Sequence, residues 1–305
     1  MPSGEISGSA PSELLTTREV AGLLRVKERK VYDLVASGEI PHVRVTGKLL
    51  FPRALLDAWL QRNSEQVGAT AAPVSRPDIV VGSHDPLLDW ALRESGAGLA
   101  TYCDGSLDGL GRLARGEAIA AGLHRLEPGP ERLEWNRAHI ERSLKGQPVV
   151  LIEWARREQG LILPPGNPLG LQGPRDLAGR RLIPRQREAG SFWLLQRLLE
   201  AEGLSLDALG LVAPPARTEA DVAIAVADGK AEVGLGLAAM ARQFRLAFVP
   251  LVRERYDLLV WRRAYFEPPL QRLWAFCRTA AFAAKARDLG GYDIEGFGRV
   301  HYNGP

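Results

Sequence analysis

Small hydroxyl residues stand at four points of the sequence where a β-like run gives way to a helix-like run. Ser83, Ser106 and Ser191 each follow a glycine and precede an amphipathic stretch, and Thr218 begins the fourth such stretch. The amino terminus of a helix presents unpaired N–H groups and a partial positive charge, so it can hold a tetrahedral or carboxylate anion. Arg185 lies just before the third turn and adds a cation. Together these residues indicate a site for a small anion.

Each of these residues also has a simpler interpretation. A serine or threonine at a helix start is often only an N-cap, and Arg185 could be an ordinary surface cation. A shared site is favoured because the hydroxyls come from both halves of one domain, and ligands of open α/β sheets bind at the strand ends.

The elements that must position these residues follow a repeating pattern from residue 78 onward. Short β runs at 79–81, 99–103, 181–183 and 233–237 are each joined to amphipathic helical stretches. Strands that alternate with helices are typical of parallel α/β layers. The sequence therefore predicts an α/β domain over residues 78–305.

The first sixty residues have a different pattern. Thr16 and Thr17 can cap a short helix, residues 25–27 form a turn, and a second helix ends near Gly38. Residues 42–51 alternate around Thr46-Gly47, which predicts a hairpin, and Pro52 starts a third helix. The predicted apolar faces of the first two helices comprise Val20, Leu23 and Leu24, and Val31, Leu34 and Val35.

Two short helices joined by a tight turn leave the second free to enter a DNA major groove, with the hairpin as a wing against phosphate. Residues 14–62 contain nine Lys or Arg against five Asp or Glu, a local excess that suits contact with phosphates. A solvated helical hairpin with ordinary surface lysines is the alternative. The predicted DNA-binding residues are Lys27, Arg29, Lys30, Tyr32, Arg44, Lys48 and Arg53.

Composition limits the remaining possibilities. The chain has 305 residues, of which 46% are hydrophobic and 25% charged, as is typical of globular proteins. Residues 1–13 are expected to be a disordered tail without a secretion signal, and residues 63–77 a linker, so we expect a cytoplasmic protein. Cys103 and Cys277 lack partners at metal-ligand spacing and are expected in the core, so neither a metal nor a resident cofactor is predicted.

Two resemblances extend this interpretation. The segment TTREVAGLLRVKERKVYDLVASGEIPHVRVTGKLLFPRALLDAWL resembles the excisionase or MerR-like winged helix-turn-helix family. GSHDPLLDWAL, DGSLDGLGRLARGEAIAAGLHRL, PRQREAGSFWLLQRLL and TEADVAIAVADGKAEVGLGL look like the periplasmic-binding-protein-like domain of molybdate-linked regulators and molybdopterin biosynthesis enzymes. The implied fold is a type II binding protein, with lobe one at 78–171 and 251–305 and lobe two at 172–250.

The second resemblance also implies a pocket, which comprises Ser83, His84, Ser106, Arg185, Ser191, Thr218 and Tyr256. His84 and His124 could instead be interior histidines, and Tyr256 could buttress the hinge. The chain departs from its relatives at 184–186 and 190–192, where a cation is lost, and at Glu219, an acid where a histidine is usual. Molybdate or tungstate is the implied ligand, and these departures suit a different or less charged one.

The sequence thus predicts a one-component transcription regulator that binds double-stranded DNA, senses a small anion, has no membrane partner and forms a homodimer or higher homo-oligomer. The alternatives are an enzyme on a binding-protein fold, a regulator that senses a small organic metabolite, and an architectural DNA binder with an empty scaffold. An enzyme is not expected, because the larger domain contains no paired nucleophile and base and no phosphate-loop motif.

Overall fold

A computed structural model describes residues 14–63, 75–127 and 134–305. The chain divides into two units, Met1–Val74 and Ser75–Pro305. The predicted tail 1–13 and most of the predicted linker lie outside the described residues.

The first unit is a small three-helix domain with a three-stranded antiparallel sheet. Its elements are β1 (Leu14–Thr16), α1 (Thr17–Leu24), α2 (Glu28–Ala36), β2 (Val43–Val45), β3 (Lys48–Pro52) and α3 (Arg53–Asn63), and the sheet order is β1-β3-β2. The helices, the turn 25–27 and the hairpin around Thr46-Gly47 confirm the predicted pattern. Thr46 and Gly47 both have positive φ, as a two-residue hairpin turn requires.

The start of α1 is stabilised by a capping box. Thr16 Oγ1 accepts a hydrogen bond from the Glu19 backbone N, and the Glu19 carboxylate accepts one from the Thr16 N at 2.7 Å. Val20 is fully buried, but Leu23 is 41% exposed, so its predicted place on the apolar face was wrong. The buried face is centred on Val20, Ala21 and Leu24, and at about 100° per residue Leu23 lies about a third of a turn away.

The second unit is built on one sheet whose central strands are long. Its path is β11-β10-β12-β9-β13-β6-β4-β5, with β14 and β15 also paired to β9. The strands are β4 (Ile79–Gly82), β5 (Ala100–Tyr102), β6 (Ala120–Leu123), β9 (Val149–Leu163), β10 (Arg181–Ile183), β11 (Gly210–Leu211), β12 (Val233–Leu237), β13 (Ala247–Trp261), β14 (Tyr292–Asp293) and β15 (Val300–Asn303). A separate ribbon pairs β7 (Leu126–Glu127) with β8 (Glu134–Trp135).

Helices cover this sheet. They are α4 (Pro86–Glu94), α5 (Ser106–Ala114), α6 (Arg137–Ser143), α7 (Gly190–Ala201), α8 (Glu219–Ala227), α9 (Ala238–Gln243), α10 (Arg262–Tyr265), α11 (Pro268–Cys277) and α12 (Ala280–Leu289), with short 3₁₀ turns at Pro174–Leu177 and Leu206–Ala208. β10 and β12 and the turn between β10 and α7 lie where the sequence predicted them.

Two lobes arise because β9 and β13 run through both halves of the sheet. They pair antiparallel along their length and form a long two-stranded ribbon. At one end of this ribbon β12 pairs with residues 159–162 of β9, and at the other end β6 pairs with residues 257–260 of β13. The first lobe contains β4, β5 and β6, and the second contains β10, β11 and β12. Each lobe has its own apolar core. The predicted two-lobed α/β fold preceded by a small helix-turn-helix domain is confirmed.

Candidate functional site

Two of the predicted serines meet at the helix ends of the first lobe. Ser83 follows β4, Ser106 is the first residue of α5, and their hydroxyl oxygens are 2.8 Å apart. The backbone N of His124, just after β6, donates to Ser106 Oγ at 3.3 Å. All three residues are buried. The first lobe therefore presents two linked hydroxyls at the amino terminus of α5.

The third serine belongs to the second lobe, next to Gly190, whose Cα packs against His124 of the first lobe. Ser191, in the first turn of α7, is buried, and its hydroxyl has no hydrogen-bond partner. The two lobes touch here, because the backbone N of Leu107 donates to the carbonyl oxygen of Glu188 at 3.3 Å. Gly105 packs so closely on the Glu188 backbone that a Cβ would lie 2.5 Å from its carbonyl oxygen. The two lobes are thus in direct contact at the amino termini of α5 and α7, and we call this boundary the cleft.

Arg185 follows β10 in the second lobe, and its charge is already neutralised. It is buried and forms an ion pair with Glu219, the first residue of α8, which is fully buried as well. Its other donors bond to the Arg217 carbonyl oxygen at 3.1 Å and to Gln186 Oε1 at 3.3 Å. Arg217, whose carbonyl oxygen accepts from Arg185, forms an ion pair with Asp104 of the first lobe, so this part of the second lobe lies at the boundary between the lobes.

The pKa of Cys103 is raised to about 11, mainly because its thiol is largely buried and next because Asp89 and Asp85 disfavour a second negative charge. Arg185 opposes that shift without cancelling it. A thiol with a raised pKa is a poor nucleophile at neutral pH. Cys277 is buried as expected, whereas Cys103 is only half-buried, so its expected place in the core was wrong.

A second set of buried charges lies where β9 and β13 cross between the lobes. Arg157 and Glu254 are directly opposite in the ladder, and Arg157 Nε donates to Glu254 Oε1 at 2.9 Å. Arg157 Nη1 donates to Asp85 Oδ2 at 2.9 Å, and the His124 ring bonds to Glu254 Oε2 at 2.9 Å. Gln159 Nε2 donates to Glu254 Oε1 at 3.1 Å. We call these five residues the hinge network.

The charged members of the hinge network compensate one another, whereas the buried Gln159 Oε1 has no hydrogen-bond partner. Burial acts to raise the pKa of Glu254, but Arg157 and then His124 outweigh it and lower that pKa to about 2. Burial likewise acts to lower the pKa of Arg157, and Glu254 and Asp85 reverse the shift, so the guanidinium stays charged. Breaking such a buried set by removal of one member leaves an uncompensated charge, which is strongly destabilising.

Of the remaining predicted pocket residues, Tyr256 and Thr218 have structural contacts, whereas the His84 ring has none at its buried Nδ1. Tyr256 is fully buried, and its hydroxyl donates to the Ser83 carbonyl oxygen at 2.5 Å, so it supports the Ser83 turn. Thr218 is the N-cap of α8, and its Oγ1 accepts from the Asp221 N at 3.1 Å. His84 is partly exposed, and its buried Nδ1 has no partner.

Sequence reasoning missed Asp85, Arg157 and Glu254. For Asp85 a signal existed, since an acid directly before Pro86 is typical of an N-cap, and Asp85 Oδ1 does accept from the Leu88 N at 2.7 Å. Arg157 and Glu254 are each the middle member of a run of three charged residues, 156–158 and 253–255, and the sequence does not show that only the middle member is buried. Charged residues at such positions are rarely buried unless they are paired.

The cleft offers binding groups and not an assembled catalytic set. Among the described residues no serine hydroxyl bonds to a histidine ring nitrogen, and no cluster of His, Cys, Asp or Glu is arranged to hold a metal ion. Its neutral donors are the Ser191 hydroxyl, the one hydroxyl proton of Ser83 and Ser106 that their mutual bond leaves over, and those N–H groups at the starts of α5 and α7 that do not already bond to carbonyl oxygens. Such donors bind a small anion without a free cation.

In the first unit the predicted DNA-binding residues share two exposed elements. Lys27, Arg29, Lys30 and Tyr32 lie at the start of α2 and along it, and Arg44 and Lys48 lie on the hairpin; all six are exposed. Within the described part of the chain Arg44 and Lys48 form no ion pair, whereas Arg53 pairs with Asp57 at 3.1 Å. The helix and the hairpin are thus placed as in a winged helix-turn-helix.

Comparison with protein families finds two matches. The model of the helix-turn-helix domain matches residues 14–64, and that of the PBP superfamily domain matches residues 90–278. None of the helices in the described ranges has the length and apolar character needed to cross a bilayer.

Two relatives and one solved structure illustrate these matches. Uncharacterized protein YvgK of Bacillus subtilis (strain 168) is 29% identical over 93% of this chain and 96% of its own length. A Clostridium pasteurianum protein, described as an uncharacterized protein in the ferredoxin 2Fe-2S gene 5' region, is 31% identical over 26% of this chain and 71% of its own length. One solved structure is that of a putative phosphate ABC transporter substrate-binding protein with bound phosphate from Clostridium perfringens. It is 10% identical to this chain, the match covers 69% of this chain and 96% of the other, and the TM-score is 0.51, which shows a likeness of fold.

Proposed function

Because the chain belongs to the PBP superfamily and carries an amino-terminal helix-turn-helix domain, we propose that it is a one-component transcription regulator that binds a small oxyanion in its cleft. A helix-turn-helix domain joined to a binding-protein domain is the make-up of a DNA-binding regulator rather than of an enzyme. The proposal adds the ligand class and the manner in which the ligand acts.

The observation that carries the ligand class is the convergence of hydroxyls at two opposed helix starts. Ser83 and Ser106 are linked to one another, and Ser191 stands across the cleft with its hydroxyl unpartnered although it is buried. A buried hydroxyl without a partner costs free energy, so a ligand that bonds to it is stabilised. A tetrahedral oxyanion offers acceptors toward both lobes, and molybdate and tungstate are the first candidates.

The proposed mechanism follows from the contacts between the lobes. An anion held by Ser106 of the first lobe and Ser191 of the second favours the closed form, since only that form offers both sets of donors. A ligand shifts an equilibrium by its differential affinity for the two forms. In a homodimer this shift changes the spacing of two helix-turn-helix domains, which must match half-sites about one helical turn of DNA apart.

The test combines calorimetry with DNA binding. Full-length protein is titrated with molybdate, tungstate, sulfate and phosphate, and the affinity for a promoter fragment is then measured with and without each. Ser191→Ala should weaken oxyanion binding roughly tenfold, the effect of about 1.4 kcal/mol. Ser205→Ala, at an exposed serine of the same lobe, is the matched control and should bind as the wild type does.

Two results would contradict the proposal. If none of the four anions binds and an organic metabolite does, the ligand class is wrong. If an anion binds but the affinity for DNA does not change with any of them, the sensor role is wrong.

A further inference from the structure

Glu219 has an oxygen that nothing in the protein satisfies. Its side chain is fully buried at the start of α8, and one carboxylate oxygen accepts the ion pair from Arg185. The other oxygen, Oε2, is buried and has no hydrogen-bond partner. An unpaired buried carboxylate oxygen is costly unless a donor reaches it.

The surroundings of Glu219 supply no further positive charge. Helix α8 packs on β9, β10, β12 and α9. Two charged groups from these elements act on Glu219, namely Arg185 after β10 and Arg157 on β9. The interaction with Glu219 contributes to the raised pKa of Arg157. β12 has no titratable residue, and Arg242 of α9 is exposed to solvent.

Both of those arginines are already engaged. Arg157 is shared between Asp85 and Glu254, and Arg185 is held by Glu219 itself. The buried charged groups of the hinge network and of the Arg185 pair are therefore three carboxylates and two guanidinium groups, and the His124 ring bonds to Glu254. A fully ionised oxyanion that entered this cleft would add negative charge where the buried carboxylates already outnumber the guanidinium groups.

We propose that binding of a fully ionised oxyanion takes up one proton at Glu219, whose Oε2 then donates a hydrogen bond to the bound anion. The proton comes from solvent, forms the O–H bond at Oε2, and lowers the negative charge of the closed cleft by one. It turns the unpaired acceptor into a donor, so both the repulsion and the missing hydrogen bond are removed. This inference rests on the proposed function, because it concerns the same ligand.

Oxyanions differ in whether they need this proton. An oxyanion that already carries a proton, such as hydrogenphosphate, can itself donate to Glu219 Oε2 and needs no proton from solvent. Molybdate, tungstate and sulfate are without such a proton at neutral pH and need one. The two kinds of anion therefore differ in the pH dependence of their binding.

The test is proton-linked calorimetry on the full-length chain. Sodium molybdate is titrated between pH 6.5 and 8.5 in buffers of different ionisation enthalpy, and inorganic phosphate is titrated in parallel. Molybdate binding should take up about one proton, and its affinity should fall by up to about tenfold per pH unit as pH rises. Phosphate binding should take up clearly fewer protons than molybdate binding does.

Glu219→Gln separates this effect from other groups. The amide keeps an oxygen for Arg185 and places a permanent N–H donor at the position of Oε2. The variant should take up no proton, should bind molybdate with an affinity independent of pH, and should bind it at least about tenfold more tightly than the wild type at pH 8.5. Glu200→Gln, at an exposed residue of α7 paired with Arg197, is the control and should keep the wild-type pH slope.

The outcomes are distinct. Molybdate binding without proton uptake overturns this inference and leaves the proposed function in place. Uptake that persists in Glu219→Gln also overturns it, since His84 or His124 would then be the acceptor. If no oxyanion binds to the wild type, the proposed function and this inference both fail. The wild-type measurement needs no variant to fold.

Discussion

Gly190 is the position where one added methyl group should hold the cleft open. A Cβ there would lie 2.7 Å from the His124 carbonyl oxygen and 2.9 Å from its Cε1, across the boundary between the lobes. Non-bonded carbon atoms prefer about 3.5–4.0 Å. Gly190 does not have a positive φ, so alanine suits its place at the start of α7 and is a better helix former than glycine.

The size of the expected loss of affinity in Gly190→Ala depends on how firmly His124 is held. Its ring is bonded to Glu254 and its backbone N to Ser106, so it cannot move aside and the lobes must separate. Overpacking costs about 1–3 kcal/mol. In Gly190→Ala that cost falls on the closed form alone, which weakens the affinity for molybdate by about 5-fold to 150-fold.

The assay for Gly190→Ala is calorimetry with molybdate beside thermal unfolding without ligand. The melting temperature should not fall, because each lobe keeps its own core. Gly173→Ala is the matched control, since a Cβ at Gly173 would meet nothing within 4 Å, and it should bind normally. Wild-type affinity in Gly190→Ala would refute the argument that the contact between α7 and His124 belongs to the ligand-bound form.

Three further outcomes are expected. Arg157→Met should lower the free energy of unfolding by about 3–5 kcal/mol in urea denaturation, since two buried carboxylates lose their cation. The pKa of Glu254 is about 2 in the folded protein, against an ordinary value of 4.5. Its ionised form therefore stabilises the fold fully above pH 4.5, and this stabilisation is lost as the pH falls toward 2. Acid titration followed by circular dichroism should show that loss. Lys48→Ala should weaken DNA binding on all sequences and reduce the slope of log affinity against log salt concentration by about 0.9. Arg53→Ala should reduce this slope by less, because Arg53 is paired with Asp57. An unchanged slope for Lys48→Ala would show that the hairpin does not contact DNA.

Much of the fold could be predicted because its signals are local. The strand at 233–237 and the helix after Gly190 are marked by turn residues and apolar periods within about ten positions. Strand β1 was missed, since three residues are too few to show an alternation of period two. Leu23 was misplaced, because an eight-residue helix fits more than one apolar face.

The site could be predicted only in part, for a related reason. Ser83, Ser106 and Ser191 each lie at a strand-to-helix turn, which sequence shows directly. The partner of Arg185 is Glu219, 34 positions away, and that of Arg157 is Glu254, 97 positions away. Those pairings depend on the register of β9 against β13 and on the packing of α8, and neither is written in any local pattern. The sequence therefore predicted an anion site but not that its arginines are already neutralised.

Because the buried arginines are already paired, they indicate which groups can favour the closed form over the open form when a ligand binds. The charges of the hinge network compensate one another without a ligand, although Gln159 Oε1 has no partner, so we expect its ion pairs to contribute equally to the open and closed forms as long as β9 and β13 stay paired. Only groups whose partners change on closure can make one form bind more tightly. These are the unpartnered oxygens of Ser191 and Glu219, the bond from Leu107 to Glu188, and the ion pair of Arg217 with Asp104 that joins the two lobes. A substitution at the hinge should therefore change the stability of the protein more than its response to ligand, and a substitution at the cleft should do the reverse.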